Sequence, residues 1–187
     1  MNLHEYIKQN YDSTYEKSDL PFKVVQKKVK KGTIIHAYNE IGSKVYFLNE
    51  GVAASTIIYG EIEKTLNFYF QHSFFAAFAS AKTGEPSNVQ ATAITNCIIE
   101  EYLIKDFEIA SESSLLLNKI GRIEMEKIFM IKSQREMDFL TKTTEEMYLD
   151  LIQNNPRVIQ NIPLKKIANY LGILPETLSR IRKRIIS

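Results

Sequence analysis

Residues 162–185 read IPLKKIANYLGILPETLSRIRKRI, a spacing typical of two short helices joined by a tight turn. Gly172 follows the last apolar residue of the first helix, where a helix commonly ends in the left-handed conformation. Pro175 suits the first turn of the second helix, because no N–H donor is needed there. The inward-facing residues are then Leu164, Ile167, Ala168, Leu171, Leu178, Ile181 and Ile185. This pattern predicts a helix-turn-helix, whose second helix lies in the major groove of DNA.

The second helix carries polar residues on the face opposite its apolar stripe. Arg180 lies about 200° around the helix from Leu178, since each residue advances about 100°. An arginine can donate two hydrogen bonds to guanine O6 and N7, and a glutamate can accept one from cytosine N4. We predict that the base-reading residues are Glu176, Ser179 and Arg180, and that the phosphate-contacting residues are Lys165, Thr177 and Lys183. The alternative is an ordinary amphipathic helix pair, and Leu174 stands where a Ser or Thr cap would be preferred.

The positive charge of the chain is concentrated at its carboxyl end. The 187 residues carry a net charge of only +2, with 44% hydrophobic and 25% charged residues. Residues 157–187 contain seven Lys or Arg and one acidic residue, a net +6, so residues 1–156 carry −4. A basic segment on an acidic body is typical of a DNA-binding module attached to a domain of another function. The length suffices for one large or two small domains.

The chain offers no pattern typical of a metal, cofactor or catalytic site. Cys97 is the one cysteine, which excludes a disulfide within the chain and a cysteine cluster for zinc or iron and sulfur. The histidines are too far apart in sequence to suggest a ligand set; they are His4, His36 and His72. We therefore expect no cofactor, no bound metal and no enzymatic activity. A metal enzyme of the cupin kind, which needs clustered histidines and an acid, is the less favoured alternative.

The amino terminus, MNLHEYIKQN, lacks the basic and then apolar order of a signal peptide. The longest apolar run, residues 74–79, is too short to cross a bilayer. These features predict a cytoplasmic protein without a membrane partner.

The hydrophobic pattern divides the chain into three regions. Residues 1–21 predict one or two short helices, and residues 22–101 contain short β-branched and aromatic runs separated by glycine turns. This texture is typical of an antiparallel sandwich or roll. We predict an α+β fold in three parts: an N-terminal antiparallel, jelly-roll-like β-roll sensor domain at 1–110, a long dimerisation helix at 111–140 and a helical helix-turn-helix domain at 141–187.

The long helix is expected to need burial on more than one side. Its apolar seam repeats at intervals of four and three residues and consists of Leu116, Ile120, Ile123, Met130 and Met137, interrupted by Lys127 and Gln134. Such a seam favours pairing with a second copy of the chain, and a helix-turn-helix usually reads two half-sites through two-fold symmetry. Burial against the chain's own β-roll is the alternative.

The long helix is expected to break near residue 140. Thr143 and Glu146 have the spacing of a capping box, with acidic residues in the first turn of the next helix. Thr141 is a competing cap. A hinge at residues 139–142 would therefore separate the body from the DNA-binding module.

The order of these parts resembles the CRP/FNR family of bacterial transcription regulators over nearly the whole chain. The family pattern of a glycine turn followed by Glu-x-x-Ser-Arg appears as Gly172 and residues 176–180, ETLSR. Residues 30–33, KKGT, and 46–51, YFLNEG, resemble parts of the family's cyclic-nucleotide-binding roll. The resemblance implies a cyclic-nucleotide-binding-like β-roll, a C-terminal winged helix-turn-helix and a homodimer on palindromic double-stranded DNA, with RNA polymerase as a further partner.

One departure from the family concerns the site that binds the cyclic phosphate. Members that bind cyclic nucleotides have Gly-Glu on a short helix and an arginine ten residues after the glutamate. Alignment through Cys97 places Ala77 at the glutamate and Ser87 at the arginine, so a buried phosphate would lack its partners. We therefore expect no control by cyclic AMP, and the effector, if the chain has one, is unknown. The effector pocket would be lined by Phe75, Ala77, Phe78, Ser87 and Asn88.

The apolar character of that pocket leaves two alternatives open. An uncharged ligand would fit it, but simple filling of the core by these side chains is the favoured interpretation. A ligand-sensing protein that signals to a protein partner, with a DNA-binding module that has lost its function, is the remaining alternative for the whole chain.

Overall fold

The computed structural model describes residues 1–60 and 62–186. The strands in these residues are β1 (Val25–Val29), β2 (Ile34–His36), β3 (Lys44–Glu50), β4 (Ala53–Tyr59), β5 (Ile62–Tyr69), β6 (Phe74–Ala76), β7 (Gln90–Ala93) and β8 (Cys97–Leu103). The α-helices are α1 (Leu3–Asn10), α2 (Phe78–Thr83), α3 (Ile104–Ser113), α4 (Leu115–Thr141), α5 (Thr144–Asn154), α6 (Arg157–Asn161), α7 (Leu164–Leu171) and α8 (Pro175–Ile186), and a short 3₁₀ helix spans Lys17–Asp19. This order confirms the predicted α+β class.

The strands form a roll of two antiparallel sheets. The strand order is β1-β8-β3-β6 in the first sheet and β2-β7-β4-β5 in the second. Aromatic stacking fills the space between them, with the Phe75 ring centroid 4.6 Å from that of Tyr69 and 5.2 Å from that of Tyr46. The buried cluster between the sheets consists of Tyr46, Leu48, Ala53, Phe75, Ala91, Ala93, Cys97 and Ile99. The predicted antiparallel β-roll is confirmed.

The outer face of the first sheet is covered by α1, α3 and the beginning of α4. Their shared cluster consists of Leu3, Tyr6, Ile7, Tyr15, Phe47, Tyr102, Ala110, Leu117 and Ile120. The Tyr6 hydroxyl also donates to Glu124 of α4 at 2.8 Å, and Lys127 Nζ lies 2.8 Å from the same carboxylate. The first turns of α4 therefore belong to the body of the roll.

The long helix α4 faces the body with one half and solvent with the other. Leu117 and Ile120 are only 2% and 4% exposed, and Leu116 packs against the same cluster. Towards the carboxyl end the exposed fractions rise to 67%, 65%, 55% and 77% for Phe129, Met130, Met137 and Leu140. The seam predicted from Leu116 to Met137 is thus not continuous, because its first half is buried within the chain. A seven-residue repeat drifts by about 20° per heptad around a straight α-helix, and three heptads carry this seam from the body side to the open side.

The amino end of α4 is set by Ser114. The Ser114 hydroxyl accepts a hydrogen bond from the Leu117 amide at 3.3 Å, which caps α4 and separates it from α3. The long helix therefore begins at Leu115, and residues 111–113, which were expected to belong to it, are part of α3.

The carboxyl end of α4 is followed directly by a capped helix. Lys142 is extended, and its ammonium group lies 2.9 Å from Asp138 and 2.6 Å from Asp150. The Thr143 hydroxyl accepts from the Glu146 amide, while the Glu146 carboxylate accepts from the Thr143 amide. The predicted capping box and the break within residues 139–142 are confirmed.

The outer face of the second sheet is covered by the C-terminal helices. The roll contributes Val52, Ala54, Phe68 and Ile94 to this buried cluster, and α5 to α8 contribute Tyr148, Val158, Ile162, Ile167, Ala168, Leu171, Leu178 and Ile181. The boundary at residue 141 between the body and the helix-turn-helix stays a prediction. In space the two share one hydrophobic core.

We predict that Thr143→Ala lowers the free energy of unfolding by about 1 kcal/mol, because the first turn of α5 loses its side-chain cap. Urea unfolding followed by circular dichroism measures the change. Thr141→Ala is the matched control: the Thr141 hydroxyl donates to the Met137 carbonyl within α4 at 2.8 Å, so we expect a change below about 0.5 kcal/mol. Equal effects of the two substitutions would contradict the assignment of Thr143 as the cap.

Candidate nucleic-acid interface

The helices α7 and α8 form the candidate interface, with a turn of three residues between them. Gly172 has a φ of 72°, a left-handed conformation that glycine adopts without strain. The Ile173 amide donates to the Ala168 carbonyl at 3.0 Å, which pairs one of the free carbonyls at the end of α7. Ala168 and Leu178 are fully buried in one cluster, so α7 and α8 pack closely. The predicted helix-turn-helix geometry is present.

The second helix, α8, directs its apolar residues inward and its polar residues to solvent. Leu178 and Ile181 are buried, whereas the residues that face solvent fully or in part include Glu176, Thr177, Ser179 and Arg180. Neither Glu176 nor Arg180 has a hydrogen-bond or ion-pair partner in the described part of the chain. The three predicted base-reading residues therefore lie together on one accessible helix.

The predicted phosphate-contacting residues are exposed as well, and several neighbouring cations are bound within the chain. Lys165 on α7 and Thr177 and Lys183 on α8 are exposed. Lys166 Nζ lies 2.9 Å from Glu63 Oε1 on β5. Arg157 donates a hydrogen bond to the Gln71 side-chain oxygen at 3.0 Å, and Arg184 forms an ion pair with Glu145. The positive charge counted along the sequence thus overstates the charge that can reach DNA.

The first helix of the pair, α7, lies against strand β5 of the roll. The ring centroids of Phe68 and Tyr170 are 5.0 Å apart, and Asn169 Nδ2 donates to the Glu63 carbonyl at 2.9 Å. Arg135 of α4 donates to the Tyr170 carbonyl at 3.0 Å. These contacts could not be predicted from the sequence, because neither Arg135 nor Glu63 differs in local pattern from other charged residues.

The predicted effector residues of β6 and α2 have different surroundings. Phe75 is buried in the aromatic stack between the sheets. The Phe78 ring is exposed, with Lys82 Nζ 5.5 Å from its centroid. Ala77 is half-buried and precedes the first residue of the short helix α2. Phe75 therefore fills the core, as the favoured interpretation has it, while Phe78 lies at the surface.

The loop after α2 holds the two other predicted effector residues. Ser87 is buried, and its hydroxyl donates to the Val89 carbonyl at 2.9 Å and accepts from the Val89 amide at 3.0 Å. Asn88 is exposed. The Ser87 hydroxyl is thus engaged within its own loop, and the assignment of an effector pocket here stays a prediction.

Residues 1–60 and 62–186 contain no group of three or more His, Cys, Asp or Glu side chains placed to hold a metal ion. In the same residues, no helix combines the length and the apolar character needed to span a membrane. Burial lowers the pKa of both His36 and His72, which favours their neutral form.

Comparison with known proteins gives a domain match for the roll and similar folds for the longer chain. Residues 26–109 match the model of the cyclic nucleotide-binding domain. FixK2 from Bradyrhizobium japonicum superposes with a TM-score of 0.72 and 16% identity, over 87% of this chain and 84% of its own. A putative transcriptional regulator of the crp/fnr family from Eubacterium rectale superposes with a TM-score of 0.69 and 20% identity, over 90% of this chain and 81% of its own. The chain has a CRP/FNR-like fold.

The CRP/FNR-like fold extends beyond the roll. A mutant of CooA from Carboxydothermus hydrogenoformans superposes over 99% of this chain and 84% of its own, with a TM-score of 0.71 and 14% identity. The family match ends at residue 109, so it is the structural similarity that includes the C-terminal helices. No protein with a curated description matches the sequence.

The C-terminal part of the CRP/FNR-like fold is entirely helical here. The described elements from α3 to residue 186 contain no strand, so the wing implied by the resemblance is not part of the described structure. The identities of 14–20% establish the fold alone. The roles of individual residues must therefore be argued from their own geometry.

Proposed function

We propose that this protein is a sequence-specific DNA-binding transcription regulator that acts as a homodimer on a palindromic site. The observation that carries the proposal is the outer face of α8. Glu176 and Arg180 lie one helical turn apart, both exposed and without a partner in the described part of the chain. Their helix is fixed from behind by the buried Leu178 and Ile181. A rigid helix with a free arginine and a free glutamate suits major-groove recognition.

The chemistry assigns separate tasks to the polar residues of the helix pair. Arg180 would donate to guanine O6 and N7, and Glu176 would accept from cytosine N4 of a neighbouring base pair. Ser179 is half-buried beside Arg180. Its short side chain can contact a base edge that lies close to the helix. The phosphate contacts would come from Lys165, Thr177 and Lys183, which set the orientation of the helix on the duplex without reading sequence.

The exposed half of α4 supports a homodimer. Phe129, Met130, Met137 and Leu140 form an apolar strip that we call the open seam. Ser133 lies on the same side of the helix, at intervals of three and four residues from Met130 and Met137, and its small side chain would let a second helix approach closely. Soluble monomers rarely expose contiguous apolar surface of this kind. Pairing of two open seams would also bring two copies of α8 into one symmetric assembly.

The surroundings of α2 support regulation without cyclic nucleotides. Ala77 and Ser87 stand where a glutamate and an arginine are expected by resemblance, and the Ser87 hydroxyl is already bonded to Val89. Lys82, the basic residue of α2, pairs with Glu108. A cyclic phosphate buried at this place would leave its charge without a cationic partner, which costs several kcal/mol.

We predict that Arg180→Ala weakens binding to the preferred site by about 1–3 kcal/mol and removes discrimination at one base pair of each half-site. Lys165→Ala should instead weaken all duplexes alike and reduce the salt dependence of binding by about one charge. Fluorescence anisotropy with matched and mismatched duplexes at several salt concentrations measures both effects.

The control for Arg180 is Arg182→Ala, which removes the same charge from α8. Arg182 lies about 200° around the helix from Arg180 and is partly buried, so its loss should leave base discrimination intact. Selection of bound duplexes from a random library tests the proposal as a whole. A library that yields no enriched palindrome would overturn it.

We predict that Met137→Glu shifts the protein from dimer to monomer, because a carboxylate would be buried against the partner's open seam. Analytical ultracentrifugation over a range of concentrations measures the dissociation constant. Leu115→Glu is the matched control, since Leu115 is 92% exposed on the same helix but lies at the end remote from the open seam. Loss of the dimer in both variants, or in neither, would contradict this interface.

We predict that cyclic AMP and cyclic GMP leave the melting temperature unchanged. A ligand at one hundred times its dissociation constant stabilises the native state by about 2.7 kcal/mol, which differential scanning fluorimetry readily detects. A concentration-dependent rise with either nucleotide, together with competition between the two, would show that the roll binds them.

A further inference from the structure

Arg135 lies in the largely exposed carboxyl-terminal half of α4, but its side chain binds both the roll and α7. Its Nη2 atom donates to the Tyr170 carbonyl of α7 at 3.0 Å and to the Thr65 carbonyl of β5 at 3.4 Å. The guanidinium carbon lies 3.9 Å from the Tyr170 ring centroid and 5.3 Å from that of Phe139. No carboxylate pairs with Arg135 in the described residues. One cation therefore joins the long helix, the roll and the helix-turn-helix.

The carbonyl that Arg135 binds on α7 is one that the helix itself leaves free. The last four carbonyls of an α-helix have no partner within the helix, and their partial negative charge favours a cation. The turn amides of Gly172 and Ile173 pair with the carbonyls of Ala168 and Asn169. Tyr170 lies beyond these, next to the last residue of α7, and its carbonyl accepts from Arg135. The hydrogen bond from Arg135 therefore depends on where the carboxyl end of α7 lies.

Beside Arg135 the three helices are not in continuous contact. A cleft of about 420 Å³ separates α4, α5 and α7, and its lining includes Arg135, Phe139, Met147 and Leu171. Arg135 crosses from α4 to α7 at the edge of this cleft. On the opposite side, Glu63 of β5 holds α7 through Lys166 and Asn169. The position of α7 relative to α4 therefore depends on few contacts. Arg135 provides a direct hydrogen bond from α4 to α7.

Arg135 also lies within the stretch of α4 that carries the open seam. It stands between Met130 and Met137 in sequence and is directed at the body, whereas Met137 is exposed and Met130, which is also exposed, lines the same cleft as Arg135. The path from a partner copy to the recognition helix is consequently short. It runs through α4, Arg135, α7 and the buried contact of Ala168 with the cluster around Leu178.

We propose that Arg135 is the positioning residue that fixes the helix-turn-helix on the long helix and thereby sets the half-site spacing that the dimer accepts. The inference rests on the proposed function, because spacing is a property of a dimer on a palindrome. Adding one base pair between half-sites moves them apart and rotates them around the duplex, so a rigid dimer must deform the DNA or lose contacts. A dimer whose helix-turn-helix is loosely held tolerates the change.

The test uses the full-length protein and the selected palindrome with its central spacer lengthened or shortened by one base pair. For the wild type we expect each change to weaken binding by about tenfold or more. For Arg135→Ala we expect weaker binding to the best spacer and a spacer penalty of about threefold or less, with base preference inside each half-site unchanged. A residue with a purely structural role would lower affinity for all spacers in proportion.

Arg122→Ala is the matched control for this experiment. Arg122 lies on the exposed side of α4, and among the described residues it pairs only with Glu126 one turn away, at 2.6 Å. Its loss should therefore leave the spacer penalty as in the wild type. Arg135→Lys serves if the alanine variant fails to fold. It keeps the charge but loses the planar fork that reaches two carbonyls and stacks on a ring, and it should reduce the penalty in the same direction.

A measurement without DNA separates this inference from the proposed function. Hydrogen exchange of the full-length protein should show faster exchange in α7 for Arg135→Ala than for the wild type, with β3 in the core of the roll unchanged. If the wild type selects no palindrome but α7 is loosened, the proposed function fails and Arg135 still positions the helix pair. Unchanged exchange in α7, or an unchanged spacer penalty, would overturn the inference about Arg135.

Discussion

The outer face of the second sheet must be covered, and the C-terminal helices cover it. Val52, Ala54, Phe68 and Ile94 would otherwise expose apolar surface on the roll, and the helix-turn-helix would lack one wall of its core. Burying a large apolar side chain contributes about 1.5–3 kcal/mol, whereas an exposed ion pair contributes about 0–1 kcal/mol. The shared core therefore supplies most of the attachment, and ion pairs such as Lys166 with Glu63 add mainly to its orientation.

Features that depend on a few neighbouring residues could be predicted from the sequence. The glycine turn at Gly172, the capping box at Thr143 and the break after α4 all follow from local chemistry and all lie where they were expected. The roll was predicted from the texture of its short strands and turns. The order of strands in its two sheets was not, since strand pairing joins residues such as Val25 and Glu101 that are remote in sequence.

Features that depend on distant contacts could not be predicted from the sequence. Glu63 lies 103 residues from Lys166 and 106 from Asn169 in sequence, so no local pattern indicates that these residues interact. The same holds for the cations at the carboxyl end, which look equivalent in sequence although Lys166 and Arg157 bind the roll and Arg180 has no partner in the described residues. The long helix shows the difference most clearly, because its repeat is regular while its surroundings change from protein to solvent along its length.

The core that the helix-turn-helix shares with the roll also limits how such a protein can evolve. A reader domain that completes its own core can be exchanged between proteins as a separate module. Here a new reader would have to bring an apolar face that fits Ala54 and Phe68 of the sheet. Substitutions in β4 and β5 are therefore expected to occur together with substitutions in α7. The roll and the helix-turn-helix would then evolve as one unit.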